Sequence, residues 1–331
     1  MLNGKTILIT GGTGSFGHHF VDYVLKHYEP AKIIIYSRDE YKQFVMQNAY
    51  KKYDDVLRFF IGDVRDGARL RRAMNGVDYV IHAAALKQVP TCEYNPNEAI
   101  KTNINGAMNV IDASLDVGIQ KVVALSTDKA VNPINLYGGT KLVSDKLFCA
   151  ANAYSGTAGT IFSVVRYGNV AGSRGSVIPF FKNLIDKGEK SLPITDFRMT
   201  RFWISLEQGV ELVIKALEES RGGETFISKI PSFKITDLAD AMLPGCEKKE
   251  VGIRPGEKLH EVMVTREDSF HTYEYDKHFI IYPDYDWAKS KGIVSGGKPV
   301  EQGFEYSSGT NTDWLSVDEL RQRLKTDLDE H

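Results

Sequence analysis

Short β-branched runs recur through the first half of the chain: KTILIT at 5–10, AKIIIYS at 31–37, VLRFFIGD at 56–63, VDYVIHAAA at 77–85, KVVALST at 121–127 and TIFSVVRYG at 160–168. Each is bounded by polar or glycine residues, and a helix-length segment separates it from the next. Apolar runs of this length without strict alternation are strands covered on both faces, so the pattern predicts a parallel sheet. Parallel neighbours require right-handed crossovers, which gives an α/β fold with a doubly wound, Rossmann-type sheet. After Arg166 the rhythm breaks into loop-rich sequence, GNVAGSRGSVIPFF, followed by shorter elements. The division expected is a dinucleotide-type domain over 1–166, rejoined by about 205–230, and a smaller C-terminal lobe with a tail over 167–331. Ser205 with Gln208 and Ser316 with Glu319 have capping-box spacing, so helices are expected to start at both places. No internal repeat or low-complexity tract is present.

At 331 residues with 42% hydrophobic content, the chain can bury a sizeable core. The 41 basic and 43 acidic residues nearly cancel, so overall charge gives no reason to expect a nucleic-acid or anionic-membrane partner. Cys92, Cys149 and Cys246 are widely spaced with no C-x-x-C pair, which suggests neither a disulfide framework nor a metal knuckle and favours a reducing compartment. The run TILIT is too short for a signal segment, and no stretch approaches the roughly 18 apolar residues of a membrane span. A cytoplasmic protein is the expectation.

Directly after the first strand comes TGGTGSFG, with Gly11, Gly14 and Gly17 spaced as G-x-x-G-x-x-G and Thr13, Ser15 and Phe16 between them. Glycine lets the backbone turn tightly and approach a pyrophosphate, whose charge the following helix N-terminus then stabilises. An ordinary tight turn would account for the glycines alone, but not for their place between a first strand and a helix. The second strand ends in YSRDE. An acidic residue there would bind ribose hydroxyls, whereas Ser37 and Arg38 both donate to a 2′-phosphate, so NADP is the expected cofactor. Asp63 and Val64 in GDVRD are placed to flank an adenine. Ala83 and Ala84 in HAAALK are small where a cofactor would lie against the sheet edge.

Tyr137 and Lys141 are four apart and share a helix face. The ammonium can lower the phenol's pKa and hold a ribose while the phenolate takes a hydroxyl proton. With Thr127 or Ser126 as a supporting hydroxyl, this set resembles the extended short-chain dehydrogenase/reductases. Asp128 and Lys129, in LSTDKAVNPINLYGGTK, are surplus to that redox set.

The resemblance extends further. STDKAVNPINLYGGTK, RYGNVAGSRGSVIPFF, MTRFWIS and RPGEKLHE are similar to the inverting UDP-N-acetylglucosamine 4,6-dehydratases, lyases of pseudaminic acid synthesis, over nearly the whole chain. That resemblance implies a UDP-N-acetylglucosamine substrate, a recycled NADP, a homo-oligomer (dimer or hexamer), and a 4-keto-6-deoxy product inverted at carbon 5. It also implies roles. Asp128 would protonate the departing carbon 6 hydroxyl and Lys129 would remove the carbon 5 proton, since retaining relatives carry Asp-Glu where this chain has Asp-Lys. Asn169, Arg201 and Arg254 would contact diphosphate and uracil, with Glu257 on the ribose, Lys87 near the hexose, and Val177 and Thr200 in the same blocks. Gln88 departs from the His that relatives often carry. Competing readings are a UDP-sugar 4-epimerase, a retaining dehydratase, an enzyme releasing a 5,6-unsaturated ketone, and an NADP-sensing regulator without turnover.

Overall fold

The computed structural model describes residues 1–156, 159–170, 172, 176–290 and 292–326. The six predicted runs form strands β1 (Thr6–Thr10), β2 (Lys32–Ser37), β3 (Leu57–Ile61), β4 (Tyr79–His82), β5 (Lys121–Thr127) and β6 (Ile161–Tyr167). They pair in parallel in the order β6-β5-β4-β1-β2-β3, with Ile7 beside Ile33 on one side and Tyr79 on the other. The order reverses between β1 and β4, so the crevice beyond their carboxyl ends is the natural ligand position.

Strand alternation builds both layers. Ile7 and Ile9 of β1 face one core with Phe20, Val24, Val210 and Val213, from helices Ser15–His27 and Leu206–Glu219. Leu8 faces the other, with Leu70, Val110 and Phe148 from helices Gly67–Ala73, Gly106–Val117 and Leu136–Ala151. A residue shift of one would swap these faces, so burial on both sides fixes the register. Both capping boxes mark helix starts: Ser205 and Gln208 bond reciprocally ahead of Leu206–Glu219, and Ser316 bonds Glu319 ahead of Val317–Thr326.

The second lobe is not one contiguous piece. Thr225–Ser228 adds to β6 in parallel, and His278–Ile281, Thr272–Glu274 and Lys298–Pro299 then extend the same sheet antiparallel, to ten strands. Residues 272–281, expected in the lobe, belong instead to the sheet: Phe279 and Ile280 are apolar and packed in the first core, which the short length of their run concealed. What remains as a lobe is a core of Ile178, Phe181, Trp203, Phe233, Leu238 and Leu320 with small two-stranded sheets. Part of the GNVAGSRGSVIPFF stretch (171 and 173–175) and the end of the tail (327–331) lie outside the described residues. The three cysteines are free thiols. Among the described residues no helix is long and apolar enough to cross a membrane, and no cluster of three or more His, Cys, Asp or Glu could hold a metal.

Candidate active site

At the switch point the turn after β1 and the segment after β4 nearly touch. Gly11 adopts φ +68°, and a Cβ there would lie 2.9 Å from Ala84 Cα, so only glycine permits the approach. Gly17 serves packing: its Cβ would stand 2.0 Å from the Gly12 carbonyl oxygen, so the helix Ser15–His27 presses onto its own entry turn. Gly14 caps that helix without a side chain, which leaves first-turn amides to an outside acceptor. A cavity of about 470 Å³ opens over this turn, lined by Gly11, Thr13, Gly14, Ser15 and Phe16, by Ser37, Arg38, Asp63 and Val64, and by Ala83, Ala84 and Lys87. Its far end is lined by Ser126, Thr127, Tyr137, Lys141 and Asn169. The shape and the amide-rich turn fit a dinucleotide.

At the edge of this cavity Arg38 is half-exposed, 3.6 Å from Asp63. Asp39, the acid that follows it, is occupied as a helix cap and accepts from the Lys42 amide at 2.9 Å. Ser37 is buried, with its hydroxyl accepting from Gln43 at 3.1 Å.

The chemical end is built by one close contact. Asn135 caps the helix Leu136–Ala151 by accepting from the Gly138 amide, and Gly138 lies against the turn Asp128–Ala130 that follows β5. This places the first helical turn, with Tyr137, on the Asp-Lys pair. Tyr137, Lys141 and Asp145 form a buried stripe along that helix. The two candidate hydroxyls separate: Ser126 donates to Asp145 at 2.6 Å, whereas Thr127 donates to Asp128 at 2.9 Å. Thr127 is therefore the hydroxyl of the acid/base cluster. Lys129 Nζ donates to Asp128 Oδ1 at 3.0 Å and to Asn169 Oδ1 at 3.2 Å.

Burial raises the pKa of Asp128, and the Glu261 carboxylate adds to it. Burial opposes charge on Lys129, but Asp128 and Glu261 outweigh it, and its pKa is raised. Burial pushes the Tyr137 phenol up to about 12; the cation working against this is Lys129, with the Thr127 hydroxyl helping, rather than Lys141 as the spacing suggested. Burial lowers the pKa of Lys141, with Asp145 as its counter-charge. Asp145 itself is raised by burial.

The expected substrate residues divide. Asn169 and Lys87 line the cavity. Arg201 is buried and reaches Glu257 at 3.7 Å and Glu261 at 3.6 Å. Arg254 is largely exposed and pairs with Glu257 at 2.9 Å. Val177 begins the helix Val177–Asp186 and packs against the lobe core. Thr200 does not reach the cavity: it is buried, and its hydroxyl is spent on His260 at 2.7 Å and Ser308 at 2.8 Å. Sequence reasoning missed two buried acids. Asp145 repeats the four-residue spacing of Tyr137 and Lys141, a signal that was available. Glu261 closes RPGEKLHE and carried no local signal of its own; that segment is clamped onto the site by Asn135 Nδ2 to the Gly256 carbonyl at 2.8 Å and by Lys258 to the Val131 carbonyl.

A family model described as polysaccharide biosynthesis protein matches residues 7–283. The UDP-N-acetylglucosamine 4,6-dehydratase (inverting) of Campylobacter jejuni is 57% identical over 97% of this chain and 97% of its own length. The chain belongs to this family. Its blocks around Asp128, Tyr137 and Arg254 thus sit in a chain similar throughout to that dehydratase, not in a borrowed segment. The UDP-glucose 4-epimerase of Rickettsia akari is 44% identical over 97% of this chain and 96% of its own. Among solved structures, Pen from Bacillus thuringiensis superposes with a TM-score of 0.90 at 37% identity, covering 99% of both chains. DesIV, the dTDP-glucose 4,6-dehydratase of Streptomyces venezuelae with NAD bound, superposes with a TM-score of 0.68 at 26% identity over 77% of this chain and 86% of that one.

Proposed function

We propose that the protein is an inverting UDP-N-acetylglucosamine 4,6-dehydratase, a cytoplasmic homo-oligomer that opens a pseudaminic-acid-type nucleotide-sugar synthesis. The observation that carries this reading is the adjacency of two pairs: Tyr137 with Lys141, which line the cavity, for oxidation, and Asp128 with Lys129, bonded to the cavity-lining Thr127 and Asn169, for elimination. An epimerase needs only the first.

A nicotinamide dinucleotide suits the cavity, as in the NAD-bound relative, and NADP is the form favoured by Arg38 and by the engagement of Asp39 as a helix cap. When bound, it would supply the hydride acceptor for oxidation at carbon 4 and the hydride donor for reduction at carbon 6. Gly11, Thr13, Gly14, Ser15, Phe16 and Gly17 would form its pyrophosphate turn, Asp63 and Val64 its adenine wall, and Ala83 and Ala84 the floor. Tyr137 accepts the proton of the carbon 4 hydroxyl, and the nearby charge of Lys129 and hydroxyl of Thr127 work against, without cancelling, the burial that makes the phenol a reluctant acid. Lys141 holds the ribose.

Elimination then draws on the ion pair. Lys129 and Asp128 are joined by a 3.0 Å hydrogen bond, so passage of one proton along it turns the pair into an amine and a carboxylic acid. The amine removes the carbon 5 proton, made acidic by the new ketone, and Asp128 protonates the departing hydroxyl. The raised pKa of Asp128 favours that tautomer and the raised pKa of Lys129 opposes it, so the amine is the minor form, drawn on as the carbon 5 proton becomes acidic. Asn169, Arg201, Arg254 and Glu257 would hold the UDP portion, with Arg201 and Arg254 suited to phosphate oxygens, and Lys87 would face the hexose.

The test is the NMR spectrum of the product made from UDP-N-acetylglucosamine in heavy water. A 4-keto-6-deoxy sugar inverted and deuterated at carbon 5 is expected. UDP-N-acetylgalactosamine would point to the epimerase reading, which the similarity to UDP-glucose 4-epimerases favours; a retained product or a 5,6-unsaturated ketone would each replace the inverting assignment.

A further inference from the structure

The elimination described above leaves one buried carboxylate of the same cluster without a task. Glu261 is 3% exposed, and its backbone is pinned to Ser308 by hydrogen bonds of 2.9 and 2.8 Å. From there Oε1 lies 3.6 Å from Lys129 Nζ and 3.6 Å from Arg201 Nε. Oε2 is buried without a hydrogen-bond partner among the described residues. Burying an ion costs several kcal/mol unless other charges compensate it, so a carboxylate kept here needs its cations.

The groups that face Lys129 are Asp128 from its own turn, Asn169 after β6, Tyr137 at the helix start, Arg201 from the strand Thr200–Phe202, and Lys258 and Glu261 from the RPGEKLHE segment. Two of these are carboxyls, and they cannot share one role. In elimination the Lys129 amine takes the carbon 5 proton, and the C5–H electron pair becomes the carbon 5 to carbon 6 double bond. The C6–O bond breaks, and the Asp128 proton leaves with that oxygen as water. While Asp128 still holds that proton it is neutral and offers the incoming ammonium no charge.

We propose that Glu261 is a positioning residue for this step: it is the permanent anion that holds the Lys129 amine in place and sets its proton affinity while Asp128 is in its acid form. Arg201, Lys129 and Lys258 together keep Glu261 ionised against its burial, as the role requires. Through Arg201 the same carboxylate links the base to the side chains assigned to the UDP portion. The inference rests on the dehydratase reading.

Glu261→Gln removes the charge and keeps the shape. The acid limb of the pH–rate profile reports the first proton lost from the coupled Asp128–Lys129 pair, which leaves the one-proton form that eliminates, and loss of a neighbouring anion lowers that pKa, so the limb should move to lower pH by about one unit or more. A merely structural role would lower the rate at every pH and leave the limb in place. Glu261→Asp, with its carboxylate drawn back, should fall between wild type and Glu261→Gln. If Glu261→Gln fails to fold, the same comparison runs between wild type and Glu261→Asp. A limb that does not move in the folded variant overturns the proposal, whatever its rate. The wild-type product, analysed first, separates the two claims: no 4-keto-6-deoxy sugar sinks the activity, whereas wild-type turnover with an unmoved limb in the variant sinks the role of Glu261 alone.

Discussion

The carbonyl oxygen of Lys129 occupies the place where a side chain on Gly138 would be: a Cβ there would stand 2.1 Å from it. The helix that carries Tyr137 and the turn that carries Asp128 and Lys129 are thereby fixed to each other backbone against backbone. The relative position of the redox pair and the acid/base pair depends on that contact.

Gly138→Ala should therefore behave against helix propensity. Inside a helix the change ordinarily stabilises by about 1 kcal/mol. Here the added methyl meets the Lys129 backbone carbonyl first and the Pro133 ring beside it, neither of which can swing aside, so turnover should fall by at least about tenfold, in line with the cost of small misplacements at reacting groups, and the melting temperature should not rise. Circular dichroism and steady-state assay check both. A Gly138→Ala protein with wild-type turnover would show that the two pairs need not be held so closely.

Lys129→Met keeps length and apolar volume and removes the amine. Loss of a positioned base costs roughly 10² to 10⁴ in rate, and deuterium incorporation at carbon 5 from heavy water should disappear with it. UDP binding, measured by calorimetry, should largely persist, since the variant takes one hydrogen bond from Asn169 and leaves Arg201, Arg254 and Glu257 with their own pairings. An inverted product formed at the wild-type rate would place the base elsewhere.

How much of this was legible varies with the range of the interaction. The strands β1 to β6 and the glycine turn are local patterns, and they read directly. The stripe Tyr137, Lys141, Asp145 is also local, although only its first two members were recognised. Glu261 was not legible, because its meaning comes from Lys129 and Arg201, 132 and 60 positions away in the sequence. The same holds for Thr127 over Ser126: adjacent hydroxyls look alike until Asp145 claims one of them. The strands at 272–281 join the sheet by antiparallel pairing to Thr225–Ser228, a partner that no short pattern names.

Arg38 should decide the cofactor. Its side chain is 52% exposed and Asp63 stands off at 3.6 Å, so the guanidinium is available to a 2′-phosphate. The wild type should bind NADP more tightly than NAD, and Arg38→Ala should remove most of that difference while changing NAD affinity little. Fluorescence titration of both cofactors against the apo protein measures it; equal affinities in the wild type would refute the preference.

His82 makes a prediction about acid stability. It ends β4 beneath the site, fully buried, with Nδ1 2.8 Å from Thr10 Oγ1 and its ring 5.5 Å from Phe148. Burial, with the charge of Lys141, pushes its pKa down to about 3. In the unfolded chain the ring titrates near 6.5. Between those values the unfolded state binds a proton that the folded state refuses, so stability is fully present above about pH 6.5 and falls as pH drops toward 3, by at most about 1.4 kcal/mol per pH unit. His82→Gln removes the titration and keeps a polar partner for Thr10. The variant should be less stable than wild type at pH 7, because the ring's packing is lost, but the gap should narrow steadily in urea melts at pH 6, 5 and 4. Carboxylates elsewhere titrate equally in both proteins and cancel in the difference. A gap that stays constant from pH 7 to pH 4 would mean that the ring accepts its proton in the folded state at its ordinary pKa, and the buried neutral histidine would have to be given up.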